Sequence, residues 1–530
     1  MNERERRNFL KAAGVGIAGG AWLAMPGKVL SDETVPRNRG LYDVSLFGAK
    51  ADGTALDSPA INKAIETAAA AGGGTVLIPA GTYRCYSIHL KSHIDLYLAP
   101  GSTLLAAEPA AEGLGYDLAE SNQPWENYQD FGHNHWHNSL IWGEDLNDVS
   151  IVGSGLILGK GLSRGWGAGP KAEEPGVSNK AIALKNCRNV LLRDFSILHG
   201  GHFGVLATGI DNLTIDNLKI DTNRDGIDVD CCQNVRVSNC SVNSPWDDAI
   251  CLKSSFALGY ARSTEMVTIS NCLVTGSYRE GTLLDGTRQP FPAEEKVPRT
   301  GRIKFGTESS GGFKNITISN CVFEGCSGLA IESVDGAVIE DVCISNLTMR
   351  DITAPPIFVR LGARMRGPAG VPVGVIRRIT ISNVTCVNSA ARICSILAGM
   401  PGNAIEDVKL SDITIQHPGG GTRADALLQL AEKEKEYPEP NMFGTTPAHG
   451  FFVRHVKGIE LSGIKVDCPT QDERPAFVLD DVRDADLRFL KLPATQGTPS
   501  IVLRDTRNFS AFRCQNVPDT ELAETKQRQL

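Results

Sequence analysis

The chain has 530 residues, 42% of them hydrophobic and 22% charged, with 55 glycines, a composition that excludes a disordered polymer. A formal net charge of -8 argues against a nucleic-acid binder, which must meet phosphates with a basic face. It leaves an acidic polysaccharide open as a partner, because that needs only a local group of cations.

Taken in chain order, residues 1–30 are expected to be an export signal and not part of the fold. Arg6-Arg7-Asn8-Phe9-Leu10-Lys11 precedes an apolar, Gly/Ala-rich stretch at 12–25, the pattern of the twin-arginine route, which predicts a periplasmic or secreted protein. No other apolar run reaches transmembrane length, so no membrane span is expected in the mature chain. A helix is predicted over 57–71, where Ile61, Ala64, Ile65 and Ala68 recur at helical spacing and Asp57 or Ser58 is placed to cap the start. The stretch 72–83 reads as turn, short strand and turn.

From there one pattern returns: apolar, any, apolar, Asp or Ser, then usually Asn. Copies begin at Val190, Leu213, Val235, Val267, Ile316, Val342, Ile379 and Val408. Alternation is the strand period, and steps of about 22 to 50 residues fit coils whose loops vary in length. The fold class predicted is all-β, a right-handed parallel β-helix, with the helix over 57–71 capping its first coil. One catalytic domain is expected over 40–515, with 516–530 as a C-terminal tail. Asn217, Asn239, Asn271, Asn320, Asn346 and Asn383 are expected to stack with their amides bonded up and down the turn. Cys240, Cys272 and Cys321 each follow Ser-Asn and read as small inward hydrophobes. Cys231 and Cys232 are expected on opposite faces of a strand. With no C-x-x-C pair, zinc is not expected, and no nucleotide fingerprint calls for a cofactor. Helical spacing of Ala424, Leu427, Leu428 and Ala431 predicts a helix over 422–436, within a loop or flap insertion at 422–450.

Two acidic clusters interrupt the repeats. Asp225, in Asn223-Arg224-Asp225-Gly226-Ile227-Asp228, precedes Asp247 of Trp246-Asp247-Asp248 by 22 residues, the step that also separates Leu213 from Val235. Equal steps predict equal places on successive coils, roughly 4.8 Å apart. Splitting a glycosidic bond needs a proton donor for the leaving oxygen and a carboxylate that activates water or attacks carbon. Asp225, Asp247 and Asp248 supply candidates for both, since crowding and burial hold one carboxyl protonated while its neighbours ionise.

Around them, Lys253 is expected to face the cleft, and His202 lies about one coil before Asp225. Arg302 and Lys304 alternate on one strand face, where they meet a sugar carboxylate or merely solvent. Arg360 and Arg364 are expected near the same side. In His133-Asn134-His135-Trp136-His137-Asn138, a wall with Trp136 stacked on a sugar ring is preferred to a metal site on alternating histidines.

At these residues the chain resembles glycoside hydrolase family 28, the polygalacturonase and rhamnogalacturonase family. Its Asn-Thr-Asp hallmark is matched by Asn223-Arg224-Asp225 within Asn-x-Asp-Gly-x-Asp, which brings in Asp228, and its paired aspartates by Asp247-Asp248. The resemblance covers roughly 47–384. It implies that Asp247 is the general acid, that Asp225 and Asp248 hold the attacking water, and that the anomeric carbon is inverted. The family's Gly-His-Gly has no counterpart in Thr300-Gly301-Arg302-Ile303-Lys304-Phe305-Gly306, and His202 is the expected substitute. The substrate expected is a uronate-containing polysaccharide or oligosaccharide, polygalacturonan or rhamnogalacturonan, attacked from a chain end because long inserts close the cleft. Two other functions fit the residues: a calcium-dependent lyase holding its ion on Asp225, Asp228, Asp230, Asp247 and Asp248, and a noncatalytic carbohydrate-binding β-helix.

Overall fold

Val190, Leu213, Val235, Val267, Ile316, Val342, Ile379 and Val408 stand opposite one another in successive parallel strands. The recurring pentad is therefore one rung of a continuous ladder. The computed structural model describes residues 40–109, 115–165, 171–390 and 392–530, so the expected export signal lies outside the described residues. Further ladders run beside the first. One collects Ile141–Glu144, Lys180–Lys185, Phe203–Thr208, Asp225–Asp230, Ile250–Ser254, Ile303–Ser309, Leu329–Ser333, Ile357–Leu361 and Ser395–Ala398. Another collects short strands such as Ser196–Leu198, Lys219–Asp221 and Ser241–Asn243. Chain that returns to parallel pairing after each circuit makes a parallel β-helix, right-handed as such crossovers are. The inward residues of all ladders join in one core.

The ladder containing Asp225–Asp230 positions the site. One of its outward-facing rows runs Trp142, Ala183, Leu206, Asp228, Cys251, Lys304, Ala330, Phe358, Ile396, Phe452. It is apolar at both ends and charged in the middle. Trp136 packs over one end, on Ala183, Leu206 and Phe203, while Phe443 and Ala448 pack over the other, on Ala330, Phe358, Ile396 and Phe452. Asp228 and Lys304 thus occupy a polar gap between two apolar lids.

The helix spans Ser58–Ala70 and buries Ile61, Ala64, Ile65 and Ala68 as expected. Asp57 does not cap it with its side chain; the carboxylate accepts the Lys50 and Ala51 N–H groups instead, at 2.7 and 3.0 Å. The stretch 72–83 carries parts of two strands, Gly74–Ile78 and Gly81–Cys85. Residues 516–530, expected as a tail, include Thr520–Gln529, which pairs antiparallel with Ile501–Phe512. The helix expected over 422–436 stops after Arg423–Ala426. Beyond it, the carbonyls of Glu432 and Lys433 accept from Arg360 and that of Glu434 from the Ala363 N–H, so tertiary bonds replace helical ones. Among the described residues no helix is long and apolar enough to cross a membrane.

All fourteen cysteines are free thiols, and Cys240, Cys272 and Cys321 are buried. Cys231 and Cys232 lie just past Asp225–Asp230 in the turn and not on a strand, Cys231 at φ 55°. The six asparagines are exposed and share φ of 54–58°. Their amides bond only in part as a ladder: Asn346 donates to Asn320 at 3.0 Å and Asn383 to Asn346 at 3.2 Å, whereas Asn217 and Asn239 donate to Asp194 and Asp216. The backbone explains the residue choice better, because asparagine tolerates the left-handed region at these corners. Asn239→Ala is therefore expected to cost about 1 kcal/mol and Asn239→Gly less than half of that, by chemical denaturation. Equal losses would place the cause in the amide bond.

Candidate active site

Adjacent coils do not set Asp225 beside Asp247. Ile227 pairs with Ile250 and Asp230 with Lys253, an offset of 23 where the preceding pair of strands, Phe203 with Asp225, keeps 22. The extra residue slides the register by one. Asp248 therefore comes level with Asp225, whose Oδ1 accepts the Asp248 N–H at 3.2 Å, and Asp247 comes level with Arg224. Arg224 donates to Asp247 Oδ2 from Nε at 3.1 Å and Nη2 at 2.7 Å. The side chains still converge, since His202, Asp225 and Asp247 each bring an oxygen or nitrogen within 4.8 Å of the others.

The two stacked aspartates have opposite electrostatics. Burial, then the nearby Asp228 and Asp247, push the Asp225 carboxyl well above the usual carboxylate range. Burial also opposes charge on Asp248, but Arg302, Lys304 and Lys253 outweigh it and hold that carboxyl at about 2. Arg302 Nε lies 2.7 Å from Asp248 Oδ1 and Lys304 Nζ 3.3 Å from Oδ2. Burial raises one carboxyl and the cations lower the other, so the stacked pair is split in acidity.

Arg302 and Lys304 share a face, yet it is not solvated: both are buried. Glu439, from the loop after the short helix, accepts from Arg302 Nη2 at 3.2 Å and lies 3.9 Å from Lys304 Nζ. Lys253 is also buried, 3.7 Å from Asp228 and 3.4 Å from Glu308. Its charge is matched inside the protein. His202 stacks flat on Phe203 at 4.2 Å; burial, then Arg224, depress its pKa well below 6.5, so the imidazole is neutral. Asn223 is buried, its side-chain oxygen without a hydrogen bond among the described residues.

Two expected sugar contacts are elsewhere. Trp136 is fully buried and donates from Nε1 to Thr208 Oγ1 at 3.0 Å, so it cannot stack on a ligand. Arg360 is equally buried and spends its donors on the carbonyls of Gly399, Glu432 and Lys433; it anchors the loop. Arg364 pairs with Asp335. The histidine run is no strand, since 131–133 form a 3-10 turn, but it delivers His133 to 3.4 Å from Asp228. His133, Glu308, Glu332 and Glu439 are the site residues that sequence reasoning missed. Strand parity with Lys304 was a usable signal for Glu308; for Glu439, from a loop, there was none.

Groups of converging ligand atoms at the site are His133 with Asp225 and Asp228, His202 with Asp225 and Asp247, and Asp130 with His133 and Glu308. Each contains an imidazole, and Arg224, Lys253, Arg302 and Lys304 interleave the carboxylates. That donor set is wrong for calcium, which takes oxygen ligands, and disfavours the lyase reading.

Two family models match parts of the chain. A family model described as right handed beta helix region matches residues 175–297, and one described as rhamnogalacturonase A/epimerase, pectate lyase-like, matches residues 42–140. A probable polygalacturonase of Vitis vinifera is 24% identical over 70% of this chain and 73% of its own. The exo-poly-alpha-D-galacturonosidase of Dickeya chrysanthemi is 23% identical over 67% of this chain, which spans 64% of that relative. In fold, the chain is similar to the family 28 exopolygalacturonase of Yersinia enterocolitica, with TM-score 0.61 and 19% identity over 86% of this chain and 79% of that one.

The opposed carboxyls predict opposite stability effects. Asp248→Asn leaves two buried cations underpaired and is expected to cost about 3–5 kcal/mol at pH 7. Asp225→Asn removes a carboxyl that must take up a proton to be buried and is expected to raise the melting temperature at pH 7. For Asp248, whose folded pKa is below the unfolded value of about 3.9, the stabilisation is full above about pH 4 and is lost as pH falls towards 2. Asp225 has the reverse sign: its contribution is fullest below about pH 4 and is lost as pH rises through its elevated folded pKa. Thermal melts of the parent and both variants from pH 2 to 8 measure this.

Proposed function

This chain belongs to glycoside hydrolase family 28, and from that premise we propose that it hydrolyses polygalacturonan, a pectin-type polysaccharide, from a chain end and with inversion. The observation that carries the reading is the cluster of Asp225, Asp247 and Asp248, one carboxyl driven towards its protonated form and one held as an anion. A uronate is favoured over a neutral sugar because a carboxylate already occupies the cations: Glu439 on Arg302 and Lys304. The sugar acid would take its place. Exo action is favoured by burial of Asp225 and Asp248, by the two loop lids over the ends of the neighbouring row and by the exo-acting relatives. Export through Arg6-Arg7 belongs to the same proposal, since the polymer is extracellular.

In this reading Asp247 protonates the leaving oxygen while Asp225 and Asp248 hold water on the opposite side of the anomeric carbon. The resting arrangement is not yet loaded for that step, because Asp247 is paired with Arg224 and the proton is favoured on Asp225. Entry of a uronate carboxylate that draws Arg224 away removes the cation from Asp247, and the proton then passes from Asp225 to Asp247 through one bridging water, since their oxygens lie within 4.8 Å. Acid and base form together. Inverting enzymes hold their carboxyls about 6.5–9.5 Å apart, so the pair must also spread as substrate enters.

Digestion of polygalacturonan followed by proton NMR is expected to give saturated galacturonate as the first product, in inverted anomeric form, unaffected by chelator. Rhamnogalacturonan serves as the competing substrate. Unsaturated products would establish a lyase, and early long oligomers would exclude exo action. Asp247→Asn is expected to lower kcat by about 10²–10⁴-fold with little change in fold, and no loss of activity would reject the assignment. Arg224→Gln is expected to lower kcat more than it raises KM, since the guanidinium would act on the proton's position.

A further inference from the structure

Away from the aspartates, three metal-ligating side chains meet on successive coils. His417 follows the strand Ile405–Gln416, His449 precedes Phe451–Ser462, and Cys468 follows Lys465–Asp467. His417 Nε2 lies 3.1 Å from His449 Nδ1 and 3.0 Å from Cys468 Sγ, and His449 Nδ1 lies 3.6 Å from that sulfur. A tetrahedral zinc ion with Zn–N of about 2.0–2.1 Å and Zn–S of about 2.3 Å separates its ligand atoms by roughly 3.3 Å for two nitrogens and roughly 3.6 Å for nitrogen and sulfur. Shifts of a few tenths of an ångström would turn the observed triangle into one face of that tetrahedron. The fourth corner has space, since Cys468 also lines a cavity of about 310 Å³ with Gln471, Asp472, Thr495 and Gln496.

We propose that His417, His449 and Cys468 bind one zinc-type divalent ion, with the fourth position open to solvent. The donor set suits a borderline-soft metal and does not suit calcium or magnesium. Such an ion takes the imidazoles in their neutral form and displaces the Cys468 thiol proton. Without metal the cluster is a satisfied network: the Gly419 N–H donates to His417 Nδ1 at 3.1 Å, so Nε2 carries the ring proton towards His449. Metal binding moves that proton to Nδ1 and turns the Gly419 amide aside, within a turn whose Gly419 and Gly420 both have positive φ.

The location gives the ion a purpose. His417 and His449 bracket 418–448, the segment that sends Glu439 onto Arg302 and Lys304. A metal joining them, with Cys468 of the next coil, clamps the base of that loop.

Full-length protein, stripped with chelator and titrated with Co²⁺, is expected to bind one ion per chain and to show a thiolate-to-cobalt charge-transfer band with tetrahedral visible bands. Zn²⁺ should displace the cobalt stoichiometrically. Cys468→Ser is expected to abolish the charge-transfer band, and His449→Ala to weaken binding at least tenfold, while circular dichroism of both apo variants matches the parent. Cys343→Ser, at the exposed thiol, should change nothing. In the parent, Zn²⁺ should slow proteolytic cleavage within 418–448. A hydrogen-bonded cluster only, with no saturable Co²⁺ or Zn²⁺ binding in the micromolar range, would overturn the proposal, as would a band that survives Cys468→Ser.

Discussion

Each coil is hydrogen-bonded to the next at about 4.8 Å, so every side chain stands beside its counterpart one circuit away. Like meets like along a row. For valine and isoleucine this makes a continuous core; for charged residues it is a constraint, because two carboxylates at one rung repel. The chain answers by changing sign between coils. Asp228 is followed along its row by Cys251 and Lys304, and Asp248 is met by Arg302 from the next coil. The candidate site is the place where the alternation is incomplete, with Asp225 beside Asp248.

Charges buried this thoroughly are tolerated only as a network. Lys253 lies between Asp228 and Glu308, Glu308 is shared with Arg366 at 2.5 Å, and Lys304 lies between Asp248 and Glu332. Removing one member uncovers a partner, which is why such clusters add little net stability yet are costly to break. Glu332, pushed up to about 7 by burial, and Asp225 are the groups least comfortable as anions. Both carry the raised proton affinity that burial gives a carboxyl whose cations do not fully offset it.

The lids extend the same logic to the loops. Trp136 and Phe443 cover the apolar ends of the row, and the segment carrying Phe443 also carries Glu439 and Tyr437, whose hydroxyl bonds Thr307 at 3.1 Å. Arg360 holds this segment by its carbonyls from below. Access to the aspartates and order in the loop are therefore one physical question.

Local periodicity alone carried the strands, the capping helix and the inward cysteines, since alternation and helical spacing are properties of adjacent residues. It also carried Asp225, Asp247 and Asp248 to one neighbourhood, because equal chain length per coil is visible without a structure. What it could not carry is anything that depends on the path between coils. One extra residue moved Asp248, and not Asp247, opposite Asp225; Trp136 and Arg360 turned from sugar contacts into anchors because loops from distant positions covered them; and His133, Glu439, His417, His449 and Cys468 reached their partners across 19 to 137 residues of separation. The sequence by itself determined that this protein coils and that acids gather on neighbouring turns, since both follow from short-range pattern. Only the tertiary structure decided which charges touch, because side-chain pairing is set by the folded loops and the register they impose.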